Sequence, residues 1–414
     1  MLKASSLIYA LAVALLIAAL SSSFILLSYL FNVQTLRMDE RARESRNTLS
    51  GLYLMLGEDA PGQQATEVDL YGDGSDNISV RRYPWGVFEV AVAQTLTRNV
   101  AERAVLMGRK PGPDSDYALY LSDRNRALSV CGKTLVRGKA YLPEAMVKRA
   151  YIEGKSFDGQ RLIDGVTSKS DKAVKPPDTD ALGELDRQMT ERFSTEDSLY
   201  IFADNQPILN MHQSFTAPPR VITGTSIVVG DVDLLGHIVI QADRKISVLR
   251  SAHLKQVLLI APIIEIESGF NGSLQALATE DIIVGEDCQL AYPSALVLRS
   301  QKTGKESSEV RMEKNASVGG VIFVMPRERN SRTLVVLGEE TTLTGQVYVQ
   351  GNAQVQGTIH GNLTVDELIL KTPSSVYQNH LLDAVIDRES LSDFYVGAAL
   401  WPDAAEKKWV QWLE

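Results

Sequence analysis

Cysteine and histidine are both scarce in this chain. It contains 2 cysteines and 5 histidines in 414 residues, and Cys131 and Cys288 lie far apart. They could pair in an oxidising compartment, but a disulfide framework needs several bridges in a short chain, so we favour two free, buried thiols. No two histidines have the spacing of a metal-ligand pair. The sequence therefore predicts neither a metal site nor a cofactor.

An excess of basic residues is also absent. Lysine and arginine number 42 against 51 aspartates and glutamates, which gives a net charge of −9 and a pI near 5.3. Proteins that bind nucleic acid usually present a basic surface to the phosphates. The composition therefore argues against nucleic acid as a partner.

Motifs of common catalytic sites are missing or incomplete. No nucleophile elbow of the type G-x-S-x-G occurs. Gly132-Lys133-Thr134 matches the end of a phosphate-binding loop, but the position that requires a glycine, five residues before Gly132, is Ala127. We predict no catalytic residue, no cofactor-binding residue and no enzymatic activity.

Long apolar runs are limited to one, at residues 7–31 (LIYALAVALLIAALSSSFILLSYLF), between Lys3 and Arg37. At about 1.5 Å per residue this run is roughly 37 Å long, enough to cross a hydrocarbon core of about 30 Å. We predict a short tail over 1–6 and a single transmembrane helix over 7–31. The alternative is a signal peptide cleaved near Ala19-Leu20-Ser21. It is disfavoured because apolar character resumes immediately after Ser23.

The orientation of this span is left open by its flanking charges. Lys3 precedes it, whereas four arginines follow it, and the positive-inside rule then favours a cytoplasmic body. A short tail with one lysine is, however, typical of a signal-anchor. We favour a single-pass protein of the inner membrane with its body in the periplasm. The four arginines are Arg37, Arg41, Arg43 and Arg46.

The region after the span is predicted to contain helices and short strands. We expect a helical stalk over 32–57, a small α+β region over 58–127, and early β rungs over 128–220 with a charged insertion, a loop, at 168–186. A second helix from Val87 to Met107 is predicted because apolar residues recur every four positions. They are Phe88, Val92, Leu96, Val100 and Ala104.

The strongest pattern lies in the C-terminal half. From Leu343 to Val365 the odd positions are apolar or glycine, and the even positions are polar apart from Tyr348. This alternation is far longer than one strand, and glycines at 345, 351, 357 and 361 share the apolar register. Short strands joined by bends predict a parallel β-solenoid over 221–371, with a β-sandwich as the alternative. Further rungs are predicted at 132–142, 226–229, 237–241, 257–266, 281–285, 295–298 and 320–325.

Residues 372–414 are predicted to form a helical cap. The alternation stops after Leu370, and 375–391 (SVYQNHLLDAVIDRESL) favours a helix, followed by an amphipathic end (KKWVQWLE). A solenoid needs a cap because its last rung otherwise exposes an unpaired strand edge. The same tail is a candidate surface for docking other proteins.

Two acidic pairs are the only candidates for chemistry along the rungs. Asp231 with Asp233, and Glu286 with Asp287, lie beside glycines. β-Helix enzymes use clustered carboxylates to bind calcium or to act as acid and base. Turn residues are the simpler interpretation, because aspartate hydrogen-bonds its own backbone. No concentration of lysine, arginine and aromatic residues, such as lines a catalytic groove, is evident along the predicted rungs.

The segment from Leu337 to Leu370 (LGEETTLTGQVYVQGNAQVQGTIHGNLTVDELIL) resembles the core of the bactofilins, bacterial β-helices that polymerise end to end as a cytoskeleton. The resemblance implies a β-helical fold, and the large N-terminal region and tail depart from that family. The N-terminus resembles a pilin or pseudopilin in outline, without the glycine and glutamate of that motif. The whole chain is similar to uncharacterised membrane-anchored envelope proteins of bacteria.

Three functions follow as hypotheses. We favour a non-enzymatic, membrane-anchored structural or assembly component of the bacterial cell envelope, within a pilus-like or secretion-like machine. The second is a carbohydrate-binding or carbohydrate-cleaving β-helix, and the third is a cytoplasmic, membrane-tethered, bactofilin-like cytoskeletal element. The expected partners are the membrane, other envelope proteins that contact the solenoid edge or the C-terminal tail, and a second copy of the chain.

Overall fold

The computed structural model describes residues 4–57, 60–72, 74–96, 101–112, 115–144, 146–190, 199–202, 208–302, 306–328, 331–401 and 404–413. Within these ranges the protein is mainly β, with two helices, α1 (Ala4–Leu54) and α2 (Thr179–Thr190). The strands are β1 Thr66–Asp69, β2 Asn77–Trp85, β3 Phe88–Thr95, β4 Glu102–Pro111, β5 Leu119–Leu121, β6 Leu128–Cys131, β7 Leu135–Arg137, β8 Ala140–Leu142, β9 Val147–Arg149, β10 Tyr151–Ile152, β11 Lys155–Ser156, β12 Thr167–Lys169, β13 Leu199–Phe202, β14 Met211–Gln213, β15 Arg220–Val229, β16 Asp233–Gly236, β17 Ile238–Val248, β18 His253–Ile266, β19 Asn271–Val284, β20 Gln289–Ser300, β21 Ser307–Met312, β22 Ser317–Pro326, β23 Arg332–Leu337, β24 Thr342–Val355, β25 Thr358–Lys371, β26 Val376–Gln378, β27 His380–Leu382, β28 Val385–Asp387 and β29 Ala404–Leu413.

Parallel strands stack into a solenoid-like arrangement, as the alternating pattern predicted. Each rung contributes a strand to three faces, and one apolar core fills the interior. In each rung one segment, which is either a short strand or the middle part of a longer one, lies on the face that we call the covered face. Twelve strands follow one another there, and at about 4.8 Å per step they span roughly 53 Å. In stacking order they are β13, β15, β17, β18, β19, β20, β22, β24, β25, β5, β8 and β12.

The stacking order does not follow the chain order. After β25 the next strand on the covered face is β5, from the N-terminal half of the chain. On a second face β28 lies between β25 and β7, and on the third face β27 pairs with β6. One rung is therefore assembled from β27 and β28 of the C-terminal region together with β5. We call it the split rung.

Alternation predicted the buried register correctly. The apolar odd residues from Leu343 to Val365, among them Val347 and Leu363, are buried in the solenoid core. Gly345 and Gly361 occupy the same corner of successive rungs with φ of 145° and 150°. A Cβ on Gly361 would overlap the carbonyl oxygen of Gly345, so close stacking at this corner requires glycine.

A five-stranded antiparallel sheet, ordered β1-β2-β3-β4-β29, packs on part of the covered face. One side of the sheet, which includes Trp85 and Phe88, packs on outward residues of the solenoid. The other side packs on the end of α1, where Leu52 and Met55 are fully buried. α2 lies on the same solenoid face, with Leu185 buried there.

Several predictions of helix are wrong. Within 87–107, the described residues form β3 and the first part of β4 instead of a helix, and 97–100 lie outside the described residues. A repeat of four is also a multiple of two, so the same apolar spacing suits a strand. The described part of 58–127 contains strands and loops but no α-helix. The 168–186 insertion begins in β12, continues as a loop to Asp178 and then enters α2.

The prediction of a helical C-terminal cap is also wrong. Residues 376–387 form three short strands, and the C-terminal segment is β29 in the sheet. Asn379 and Asp383 adopt positive φ of 53° and 54°, which breaks the segment into corners. Asparagine and aspartate tolerate this conformation better than other non-glycine residues.

Candidate functional site

The acidic pairs singled out from the sequence occupy corners of the solenoid. Asp231 and Asp287 have positive φ of 54° and 57°, which fits the interpretation of turn residues. Asp287 accepts a hydrogen bond of 2.6 Å from Asn315 on the next rung, and Asp233 lies 3.5 Å from His212. The amide of Glu286 donates to the Ser268 hydroxyl. The carboxylates of Asp233 and Asp287 therefore contact neighbouring rungs, and the described residues show no group of acidic side chains that could hold a metal ion.

The other polar candidates are equally dispersed. Both cysteines are free and buried, and burial raises the pKa of the Cys288 thiol. Gly132-Lys133-Thr134 forms a corner in which the Lys133 amide donates to Asp383. Across the ranges that the structure describes, no three His, Cys, Asp or Glu side chains form a group that could hold a metal ion.

One cavity does bring chemically distinctive side chains together. It has a volume of about 160 Å³ and lies on the covered face beside the split rung. Its aromatic lining comes from separate parts of the chain: Tyr117, Tyr120, Tyr141, Tyr348 and Trp401. Ser115 and Thr364 add hydroxyl groups, and Lys169, Asp171 and Lys175 add charges.

The aromatic side chains form two walls. Tyr117, Tyr120 and Tyr141 contact one another with ring centroids 5.5–6.0 Å apart. In a second group, Tyr348 and Trp401 meet at 6.2 Å in an edge-to-face arrangement. Such contacts between rings are favourable and hold each ring in one orientation. The walls are therefore rigid surfaces.

Hydroxyl groups of the walls are bound to the protein itself. Tyr117 shares a hydrogen bond of 2.6 Å with Thr364, and the Tyr348 hydroxyl donates to the carbonyl of Lys175 at 2.9 Å. The amide of Asp171 donates to the Tyr120 hydroxyl at 3.1 Å. Burial raises the pKa of Tyr120 and of Tyr348, so both phenols stay neutral. What the tyrosines offer to the cavity is ring surface.

A lining residue, Trp401, and Asn362, which bonds the lining residue Ser115, each carry an unpartnered polar atom within the described chain. The indole N–H of Trp401, a residue only 2% exposed, has no hydrogen-bond partner among the residues described. Asn362 donates to the carbonyl of Ser115 and leaves its own Oδ1 without a partner in the same part of the chain. Buried polar groups are rarely left unsatisfied. Trp401 is one of the residues that line the cavity.

The mouth of the cavity carries the charges. Lys169, Asp171 and Lys175 are exposed, whereas Ser115 and Thr364 below them are buried. Lys169 forms a 2.6 Å ion pair with Glu144, in which both side chains are 73% exposed. An exposed pair of this kind contributes little to stability, so Lys169 can exchange its partner at small cost.

The comparisons give no relative for this chain. No family model, no curated protein and no solved structure matches it. The solenoid-like fold and the apolar N-terminal helix rest on the structure itself, and the resemblances to bactofilins and pilins remain predictions.

Sequence reasoning missed this cavity because its lining crosses the split rung. Tyr117, Tyr120 and Tyr141 precede Tyr348 by more than 200 residues, and only the stacking of β5 on β25 joins them. A signal was nevertheless present. Tyr348 is the one aromatic residue on the polar register of β24, and an outward aromatic residue there needs a covering partner.

Proposed function

We propose that this protein is a membrane-anchored structural component of the bacterial cell envelope that holds a rigid β-solenoid at a defined height above the inner membrane. The observation that carries the proposal is the continuity of α1. One helix, Ala4–Leu54, joins an exposed apolar segment to the fully buried Leu52 in the body. The apolar part of α1 is long enough to span a membrane, as an anchor or a signal sequence would be.

The docking of α1 makes the stalk and the body one unit. Asp76 accepts hydrogen bonds from Arg43 at 2.7 Å and from Asn47, and the bond from Arg43 lowers the pKa of Asp76. Gly51 allows close approach, because a Cβ there would touch Ile78 and Ala93. A helix held this way transmits the position of the membrane to the solenoid, as a scaffold requires.

The contacts also define which end of the solenoid is near the anchor. Arg43 and Asn47 meet Asp76 at the start of β2, and farther along this strand Arg81 donates to Thr216, beside the earliest rungs of the covered face. β4 runs in the same direction as β2, away from the docked end of α1, and leads to β5 in the split rung. The rungs built from 119–169 therefore lie farthest from the anchor.

We place the body in the periplasm. Four arginines after the span favour a cytoplasmic body, but one of them, Arg43, forms an ion pair with Asp76 of the body. The presence of Arg43 is therefore accounted for by the docking of α1 and need not reflect the orientation of the span. A reporter fused after residue 414 tests this placement. We expect an enzyme that is active only outside the cytoplasm to be active in the fusion. A fluorescent protein that matures only in the cytoplasm should stay dark.

A bright fluorescent fusion with an inactive enzymatic one would overturn the periplasmic placement and favour the cytoplasmic, bactofilin-like alternative. A fusion to the same chain without residues 1–36 is the control. It has no export segment and should give the cytoplasmic pattern in both reporters.

Height above the bilayer tests the scaffold itself. Single cysteines at two exposed positions, Val228 near the anchor and Tyr151 on the far rungs, would carry a donor dye in nanodiscs that contain an acceptor lipid. We expect weaker energy transfer from position 151 than from position 228. Insertion of Gly-Ser-Gly-Ser after Met38 should make the two efficiencies converge. Equal efficiencies in the uninterrupted protein would contradict a rigid stand-off.

Carbohydrate binding is a second candidate function, and one observation favours it. Aromatic walls, hydroxyl groups and charges lie together in a single cavity, which is the composition of a site for a small polar ring. This function is compatible with the scaffold, since the cavity lies on rungs far from the anchor.

A further inference from the structure

We infer that the cavity beside the split rung binds a neutral, water-soluble compound with a single aromatic ring, such as a phenol. This inference goes beyond the scaffold, and it competes with carbohydrate binding, the second candidate function, for the same cavity. Three features carry it: the volume and aromatic lining of the cavity, the engagement of its hydroxyl groups, and the balance of the charges around it.

The volume of the cavity suits one six-membered ring. It is about 160 Å³, close to the roughly 150 Å³ of an engineered apolar cavity that binds benzene. Five of the ten lining residues are aromatic, so a ring that enters the cavity exchanges water for ring surface. A polymer chain cannot pass through a space of this size, whereas a single ring fits.

The lining rings are oriented so that an inserted aromatic ring gains from them. Tyr117 and Tyr141 lie at 90° to each other, and Tyr348 and Trp401 at 77°. Among perpendicular rings a guest ring can meet some face-on and others edge-on, the two arrangements that aromatic pairs prefer. Phe323, which is outside the lining, stacks on Tyr348 at 5.0 Å and holds its plane. An aliphatic ring of the same size lacks the quadrupole on which these contacts depend.

The tyrosine hydroxyl groups around the cavity are already engaged, which disfavours a sugar. All four lining tyrosines have a hydrogen-bond partner within the protein: Tyr117 with Thr364 at 2.6 Å, Tyr348 with the Lys175 carbonyl at 2.9 Å, Tyr120 with the Asp171 amide at 3.1 Å, and Tyr141 with the Lys139 ammonium at 2.6 Å. A sugar would remove several hydroxyl groups from water and find few free partners, which is costly. A phenol has one hydroxyl group, which can remain in water at the mouth.

The charges at the mouth favour a neutral ligand. Lys169 is paired with Glu144 at 2.6 Å, and Asp171 and Lys175 add one charge of each sign. These four charges balance, so an anion meets no excess of positive charge there. An uncharged ring gives up no strong hydration on entry and needs no counter-ion.

A cation is disfavoured for a further reason. Aromatic cavities bind ammonium groups through their ring faces, but the Tyr141 ring already carries one. The Lys139 ammonium lies 4.5 Å from the centre of this ring. A second cation among the same rings would be repelled by the first.

The position of the cavity indicates a ligand that arrives through water. β5, β8 and β12 supply part of the lining and belong to the rungs farthest from the anchor. A ring that is part of a membrane lipid would have to leave the bilayer to reach them. The remaining lining includes residues of β24 and β25, so the ligand binds only when the segments that meet at the split rung are assembled. Binding should therefore raise the melting temperature.

Calorimetric titration of the full chain in nanodiscs at neutral pH tests the inference with four probes: phenol, cyclohexanol, D-glucose and tetramethylammonium. Phenol, which is uncharged at this pH, should bind saturably with a dissociation constant of about 1 mM, a modest affinity for so small a ligand. Cyclohexanol has the size and the hydroxyl group without the aromatic ring, and should bind about fivefold more weakly. Glucose and tetramethylammonium should bind at least about tenfold more weakly than phenol. Empty nanodiscs measure the partition of each probe into lipid, and this heat is subtracted.

Variants of Tyr141 test the contribution of a lining ring. Tyr141→Leu removes the ring and should weaken phenol binding about fivefold. Tyr141→Phe keeps the ring and removes only the hydroxyl group, and should bind phenol as the unmodified protein does. Tyr151→Leu, at a tyrosine that is 74% exposed and outside the lining, is the control for position and should have no effect. Lys169→Gln should have none either, because a neutral ligand does not use its charge.

The melting temperature of each variant, measured with and without phenol, separates loss of binding from loss of folding. A folded variant with an impaired site keeps a cooperative transition but shows a smaller increase on addition of phenol. Tyr141→Leu should behave in this way, and Tyr141→Phe should show the full increase.

Each contrary outcome overturns a different part of the inference. Tighter binding of glucose than of phenol would overturn the aromatic ligand and favour carbohydrate binding. Equal binding of phenol and cyclohexanol would overturn the requirement for an aromatic ring, and weaker binding to Lys169→Gln would overturn the neutral ligand. Equal losses in Tyr141→Leu and Tyr141→Phe, or a loss in Tyr151→Leu, would overturn the assignment to this cavity. Absence of saturable phenol binding to the folded protein would overturn the whole inference. None of these results bears on the energy-transfer test of the scaffold.

Discussion

At the scale of single residues, the contact between the sheet and the solenoid contains a buried histidine. The ring of His237 stacks on Tyr83 and Phe215 at 5.3 and 5.1 Å, with Trp85 edge-on at 5.0 Å. Its Nδ1 lies 2.8 Å from the carbonyl of Ala217. A carbonyl only accepts, so Nδ1 carries a proton.

His237 predicts a loss of stability in mild acid. Burial lowers its pKa from the usual 6.5 to about 4, and the nearby Arg81 acts in the same direction. Between these values the unfolded chain binds a proton that the folded protein does not bind. The free energy of unfolding should therefore fall as the pH falls from 6.5 to 4, by up to about 3 kcal/mol.

Denaturant unfolding at several pH values checks this expectation. In His237→Phe the slope between pH 6.5 and 4 should be shallower, because the aromatic packing remains and the titrating group is gone. His212→Phe is the control, since His212 is 65% exposed, and it should keep the original slope. A slope unchanged by His237→Phe would show that other groups cause the acid sensitivity.

The glycine corner gives a second prediction at this scale. Gly345 has a φ of 145°, and a Cβ there would overlap the carbonyl oxygen of Gly320 on the preceding rung. Gly345→Ala should therefore destabilise the protein by more than about 2 kcal/mol. Gly183→Ala, in α2 with no atom near the added Cβ, should instead stabilise it by up to about 1 kcal/mol. Chemical denaturation measures both free energies of unfolding. Similar changes in the two variants would contradict the requirement for glycine at the corner that Gly345 occupies.

At the scale of elements, α1 combines two kinds of surface. Its apolar N-terminal part is exposed throughout, while its last turns contact β2, β3 and β4. Predicting the stalk from the sequence was possible because Leu49, Leu52 and Leu56 return apolar character after the charged stretch. What they pack on could not be predicted, because β3 had been interpreted as a helix.

Leu52 is expected to hold the stalk to the body. It is fully buried, whereas Leu54 is 48% exposed, so the two leucines form a matched pair on one helix. Leu52→Ala should destabilise the contact by about 2–5 kcal/mol, and Leu54→Ala by less than about 0.5 kcal/mol. Limited trypsin digestion in nanodiscs measures the difference. Cleavage at Arg43 should become faster in the first variant only, and equal rates would indicate that Arg43 and Asn47 alone hold the helix.

At the scale of the whole molecule, the sequence pattern predicts strands and their buried side, but it does not predict the order in which the strands stack. Strict alternation from Leu343 to Val365 predicted both the solenoid and its buried register, because period two is a local property of a strand. The β3–β4 region misled because it lies between two apolar layers, so both of its faces are buried and alternation is hidden. The split rung could not be predicted, because the sequences of β5 and β28 do not indicate which strands they pair with.

The split rung itself is testable by a cross-link. Leu135 and Val385 are register partners in neighbouring rungs, at the spacing of about 4.8 Å between paired strands, which suits a disulfide. Under oxidising conditions Leu135→Cys/Val385→Cys should form this bond. By closing so long a loop it should raise stability by about 5 kcal/mol in the chain-entropy account. Mass spectrometry of the digested protein identifies the linked peptides.

A register control makes the result specific to the stacking. Val376 lies on β26, which pairs with β25 and has no described pairing with β7, so Leu135→Cys/Val376→Cys should not cross-link. If the rungs were stacked in chain order, β7 and β28 would lie at opposite ends of the solenoid and neither pair could react. A bond in the first variant alone therefore requires the N-terminal rungs to follow the C-terminal ones. That order is also what brings Tyr120 and Tyr348 to the same cavity.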